Sequence, residues 1–157
     1  MAKTIEQLEN EFWGEPEYPS HVVVTSHELR KKPIDQFRVE DLRFMIGQNI
    51  GTEYIMPRAL GMLEQSPLVE DYHYPGEVLY SVLKLPDVYW SAHPEHLQRA
   101  CKISQLALNK LAETCERHKA YALRKRGEVL NDRKCLGQTE RMVQELATAF
   151  LNTYNSG

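Results

Sequence analysis

Residues 38–54 read RVEDLRFMIGQNIGTEY, and residues 55–90 continue as IMPRALGMLEQSPLVEDYHYPGEVLYSVLKLPDVYW. Val39, Leu42, Met45 and Ile46 recur at helical spacing, with Glu40 and Asp41 in the first turn, where the helix dipole favours acids. This predicts a helix near 39–48. Gly47 and Gly51 bracket Gln48-Asn49-Ile50, the pattern of a left-handed helix cap followed by a tight turn. Thr52 is placed to cap a second helix running to about Gln65. Pro57 falls within its first turn or two, where a missing N–H costs least. Leu60 and Leu63 face the core with Tyr54, Met56 or Ala59. Ser66-Pro67 opens a loop, and Pro75 fits a first helical position. Val78, Leu79, Val82 and Leu83 then give a short amphipathic helix ended by Pro86, and Tyr89 and Trp90 read as core or rim aromatics. No residue set in this unit looks catalytic, which points to binding.

Outward from this unit the pattern stays helical. Thr4 and Gln7 fit a capping box, and Ile5, Leu8 and Phe12 are spaced for one face. Gly14, Pro16 and Pro19 then break the chain. Ser20 precedes HVVVTSHELRKK. The valine run alone would suit a strand, but the bases at its far end favour a helix, which Pro33 closes. Pro94 starts a long helix limited by Gly127, with Leu97, Cys101, Ser104, Leu108, Leu111, Cys115, His118 and Ala122 as a heptad-like seam. GEVLNDRKCLG reads as a loop. A last helix at about 138–154 presents Met142, Val143, Leu146, Phe150 and Tyr154, and pairs with the long helix as an antiparallel hairpin. The expected fold is all-α: a compact helical bundle over residues 1–157 as a single domain, ending in a helical hairpin over 94–157.

The totals narrow the class. With 157 residues the chain can bury a real core. No run approaches the roughly 20 apolar residues that span a bilayer, and MAKTIEQLENEFW lacks the features of a signal peptide, so a cytoplasmic protein is expected. Cys101, Cys115 and Cys135 are odd in number and contain no CxxC, which argues against a disulfide framework. Net charge is −3, but it is unevenly spread. Residues 1–93 carry 15 acids and 8 bases, net −7, whereas residues 94–157 carry 7 acids and 11 bases, net +4. An acidic half suits a basic partner.

Candidate chemistry is sparse. His93 and His96 are separated by Pro94, and Cys101 shares their face poorly, so no four-ligand zinc site converges. Adjacent acids on a helix point about 100° apart, so Glu40 and Asp41 form no carboxylate dyad. GxSxG, HExxH and phosphate-cradling glycine loops are missing. Neither metal nor cofactor is expected, and the chain reads as a non-enzyme. The Arg117–Lys134 stretch holds seven bases, near the acids Glu116, Glu128 and Asp132, with Tyr121 as its one aromatic. It is either a solvated face or a phosphate-tracking helix. The segment from Glu64 to Glu77 is more suggestive. It holds Glu64, Glu70, Asp71 and Glu77 around Tyr72, His73 and Tyr74, with no Lys or Arg. It is either a solvated loop with its aromatics tucked beneath it or, since tyrosines with unpaired acids suit one, a surface for a basic protein partner.

VEDLRFMIGQNIG, MPRALGMLEQSPL and YPGEVLYSVLKLPDVYW together resemble the immunity proteins of bacterial contact-dependent growth inhibition systems, over about residues 27–92. Two positions depart from that pattern. Arg38 stands where a small capping residue is usual, and Thr52-Glu53 where the turn is usually apolar. The resemblance implies a small non-catalytic antidote. It would bind the C-terminal toxin domain delivered by a neighbouring cell, as a 1:1 complex in the cytoplasm. Toxins of such systems are often nucleases, whose clefts attract phosphate and are basic. The acids of residues 1–93 fit that partner, with Glu53, Glu64, Glu70, Asp71, Tyr72, Tyr74 and Glu77 as its expected contacts. Two other readings compete: a nucleic-acid-binding helical regulator using 117–134, and self-association through the Leu97–Cys115 seam.

Overall fold

The computed structural model describes residues 2–69 and 76–155, and among these it holds eight α-helices, one 3-10 turn and no strand. The helices are α1 (Ile5–Glu9), α2 (His21–Arg30), α3 (Val39–Gly47), α4 (Thr52–Gln65), α5 (Glu77–Leu83), α6 (Asp87–Ala92), α7 (Pro94–Arg126) and α8 (Gln138–Tyr154), with the 3-10 turn at Ile34–Gln36. The all-α expectation holds.

Local signals set most boundaries. Thr4 accepts from the Gln7 amide at 3.2 Å while the Gln7 side chain accepts from the Thr4 amide at 3.0 Å, a reciprocal capping box. Ser20 accepts from the Val23 amide at 3.2 Å, which draws the valine run into α2. Arg38, with no small side chain to cap α3, is served from the other direction. Asp41 Oδ2 accepts the Arg38 amide at 3.0 Å and the Lys32 ammonium at 2.6 Å. Gly127, at φ 63°, terminates α7.

The core is one cluster through most of the chain. α5 packs against α3 and α8, α4 against α3 and α7, and α7 against α8. Leu42, Met45, Ile46, Ile55, Met56, Leu60, Leu63, Leu79, Val82, Trp90, Ile103, Leu111, Val143 and Phe150 are buried together. Trp90 meets Phe150 edge to face at 5.3 Å. The hairpin therefore supplies one wall of the core that α3–α6 need.

Two left-handed glycines allow the closest approaches. Gly51 (φ 62°) turns α3 into α4, and a Cβ there would lie 2.7 Å from Ile5 Cδ1. Gly76 (φ 87°) opens α5, and its Cβ would lie 2.8 Å from Val143 Cγ2 of α8.

Several expectations need correction. Phe12 does not continue the face of Ile5 and Leu8, because Asn10 (φ 53°) ends α1 after five residues and leaves Phe12 exposed. Gly47 is the last helical residue of α3. The left-handed positions are Asn49 and Gly51, and Asn49 accepts from the Thr52 hydroxyl at 2.8 Å. Thr52 is accordingly the first residue of α4 and Gly51 its cap. Pro86 both follows α5 and precedes α6, a helix the sequence pattern does not announce. On α7 the buried stripe is Ala100, Ile103, Ser104, Ala107, Leu111, Cys115 and Ala122, while Leu97, Cys101 and Leu108 sit half-buried at its edge. His118 is exposed, and its Nδ1 lies 2.6 Å from the Cys135 carbonyl. Met142 is also exposed, and Ala147 takes the buried place on α8. Finally, Cys115 and Cys135 form a disulfide across 20 positions, with Cα atoms 4.8 Å apart. An odd cysteine count conceals a pair that only the return of the 127–137 connection brings together. Cys101 is the free thiol, and burial pushes its pKa up.

Two stability predictions follow from this packing. Gly51→Ala should destabilise by about 2–4 kcal/mol, combining left-handed strain with overpacking against Ile5. Gly47→Ala, helical and with Ser81 Oγ at an ordinary 3.9 Å, should be neutral or stabilising by up to about 1 kcal/mol. Urea unfolding of both variants checks the pair. Reducing Cys115–Cys135 should cost about 3 kcal/mol from the loop-closure entropy of its 20-residue span, read as a lower unfolding midpoint in dithiothreitol.

Candidate protein-interaction surface

The described acids expected to contact a partner, Glu53, Glu64 and Glu77, are spread over the start and end of α4 and the start of α5. Glu53 lies in the first turn of α4 and Glu64 in its last, about 16 Å apart along the axis. Glu64 is ion-paired with Arg99 of α7, and that hydrogen bond holds its carboxyl below the usual range. Glu77, at the start of α5, lies 3.7 Å from Arg43 of α3. Both charges are therefore answered from within the fold. Glu53 is exposed and has no basic partner among the described residues. Its hydrogen bond with Tyr54, together with its charge, raises the Tyr54 pKa. Thr52 beside it is buried and Glu53 points outward, so the departure at this turn places a carboxylate on the surface. Glu70, Asp71, Tyr72 and Tyr74 lie outside the described residues.

Glu53 shares a depression of about 230 Å³ with Glu9, Asn49, Gly51, Thr52, Tyr89 and His93. Its aromatic wall is a stack across α6 and the start of α7. The Tyr89 and His93 rings lie 4.4 Å apart, and His93 and His96 5.2 Å apart. The Tyr89 oxygen is 2.8 Å from His96 Nδ1. Burial pushes the Tyr89 pKa up to about 12, so its hydroxyl stays protonated beside the imidazole. Burial lowers the His96 pKa, and repulsion from His93 and Arg99 adds to the effect.

The other charged regions are less available. In the basic stretch, Lys119 bridges Asp132 at 2.5 Å and Glu116 at 3.4 Å, and Arg126 reaches Glu128 at 3.5 Å. The hydrogen bond from Lys119 lowers the Asp132 pKa. A groove of about 500 Å³ between α7 and α8 is lined by Leu97, Cys101, Leu151 and Tyr154. Of the expected self-association seam, Leu111 and Cys115 are buried in the core, while Leu97, Cys101 and Leu108 stay half-buried. No group of three His, Cys, Asp or Glu among the described residues is arranged to hold a metal ion. No helix among them is long and apolar enough to cross a membrane.

The model of one protein family, the CDI immunity proteins, matches residues 7–100, and the chain belongs to that family. The match extends the motif-bearing stretch in both directions, taking in most of α1 and the first two turns of α7. Neither a curated protein nor a solved structure matches the chain.

A pH prediction attaches to the Tyr89–His96 pair. A histidine whose native pKa is depressed binds protons more readily when unfolded. Its contribution is complete above the unfolded value of 6.5 and is lost as pH falls through that value toward the native one. The unfolding free energy should therefore drop as pH falls below about 6.5. His96→Gln should flatten that drop, and identical pH profiles for the two proteins would contradict the assignment.

Proposed function

We propose that this chain is the antidote of a contact-dependent growth inhibition system whose toxin is a nuclease. In this reading it binds the incoming C-terminal toxin domain in the cytoplasm, one to one, and blocks it by contact without catalysis. Membership of the CDI immunity family supports the partner class. The observation that carries the finer reading is the segregated charge: net −7 over residues 1–93 and +4 beyond. A nuclease cleft must attract phosphate, so the protein that covers it gains from carboxylates. Glu53, Glu70, Asp71, Tyr72 and Tyr74 remain candidate contacts. Glu64 and Glu77 are weaker ones, since Arg99 and Arg43 already oppose them.

Nucleic-acid binding through 117–134 is not favoured, because Asp132 and Glu128 within the stretch, and Glu116 just before it, pair with Lys119 and Arg126.

The test is protection. Cells expressing the chain should survive induction of the toxin domain encoded beside it and should die from an unrelated toxin. Death in both cases, with the chain folded, would remove the immunity reading. Charge reversal at Glu70 and Asp71 should weaken toxin binding at low salt, and unchanged binding would remove that loop as a contact.

A further inference from the structure

The segment between α1 and α2 reads NEFWGEPEYPS over residues 10–20 and has no regular structure, yet one buried side chain pins it. Arg30, in the last turn of α2, is 1% exposed. Its Nη1 donates to Glu9 Oε2 at 2.5 Å and its Nη2 to the Glu11 carbonyl at 2.6 Å. The guanidinium lies over the Trp13 ring, 4.1 Å from its centroid. Trp13 in turn meets His27 at 5.1 Å and donates from Nε1 to Glu11 Oε1 at 3.2 Å. His27 Nδ1 lies 3.2 Å from the Gly14 carbonyl.

This clamp holds the chain at residues 9–14 while leaving neighbouring side chains outside. Phe12 is 64% exposed and Tyr18 70% exposed. No ring contact among the described residues involves either. Glu11, Glu15 and Glu17 lie among them, with no base in the segment. The ion pair of Glu15, 3.8 Å from Lys31, joins two exposed groups and is worth little. Glu9, at the root of the segment, lines the same depression as Glu53. The acidic surface therefore continues from the segment onto the first turn of α4.

We propose that residues 9–20, together with Glu53, are the docking surface for the toxin domain, with Phe12 and Tyr18 as anchors. The proposal rests on the immunity reading and names its surface. Phe12, set between the held Glu11 and Trp13, and Tyr18 further along the segment each offer a large exposed aromatic surface, the character of interface hot spots. Glu11, Glu15, Glu17 and Glu53 specify the occupant, a basic protein face. Phosphate-bearing partners and anionic membranes would be repelled, and a second copy would present like charge.

The test is calorimetric titration of wild-type and variant chains against the purified C-terminal toxin domain encoded beside this chain. Phe12→Ala and Tyr18→Ala should each weaken binding by about thirty-fold or more, the hot-spot threshold. Glu11→Lys/Glu17→Lys should weaken it and reduce its salt dependence, whereas Arg124→Glu/Lys125→Glu on the far end of α7 should bind as wild type. Both aromatics are exposed, so thermal melts should not move, and each single variant is read separately. Loop variants that bind as wild type would overturn the docking surface and leave the immunity reading standing. A wild-type chain that fails to bind would overturn the immunity reading itself.

Discussion

The contact of Ile5 with Gly51 fixes how the N-terminal half of this protein is assembled. Ile5 is fully buried, and only a residue without a Cβ lets it sit that close to the turn between α3 and α4. The same turn aims α3 and α4 so that Met45, Ile46, Ile55 and Met56 join one core. Placing Ile5 places α1. The left-handed Asn10 then sends the chain outward, and Arg30 catches it from α2. An acidic, aromatic surface thus depends on an apolar contact several residues away from it.

Gly76 plays the matching part on the other side, receiving Val143 of α8 at the start of α5. The seven-residue α5 cannot cover its own apolar face. It is buried because α3 and α8 lie on either side of it. The family match ends within α7, yet the hairpin beyond it supplies Ile103, Leu111, Val143, Ala147 and Phe150 to the common core. A chain truncated after the matched residues would expose that core.

Much of the fold was legible because its signals are local. Thr4, Ser20, Pro94 and Gly127 mark helix ends through hydrogen bonds or backbone angles spanning a few residues. Apolar spacing located α3, α4, α5, α7 and α8. What escaped depends on distant neighbours. Ala100, Ala107 and Ala147 are buried because helices approach there, and alanine carries little pattern signal. Leu97 and Leu108 look like seam residues but sit at the edge of the contact. Cys115 meets Cys135 only through the return of a loop. At the candidate surface, acidity was legible from counting, but its availability was not. Arg99 and Arg43, from α7 and α3, answer Glu64 and Glu77. The stretch at 10–20 read as chain-breaking Gly14, Pro16 and Pro19. Its one compositional hint was aromatics alternating with acids, and only Arg30 shows that it is held in place.

The functional account joins membership of the CDI immunity family to a division of charge, with the carboxylates of residues 9–20 and Glu53 at one end and bases at the far end of α7. Opposite charge on a toxin would steer encounter, and fixed aromatics would slow dissociation. The measurement that tests this most directly is hydrogen–deuterium exchange of the chain, alone and saturated with its toxin domain. The account predicts slowed exchange at residues 9–20 and at the first turn of α4, with the distal end of α7 unchanged. Protection confined to residues 117–134, with the N-terminal corner unaffected, would contradict it.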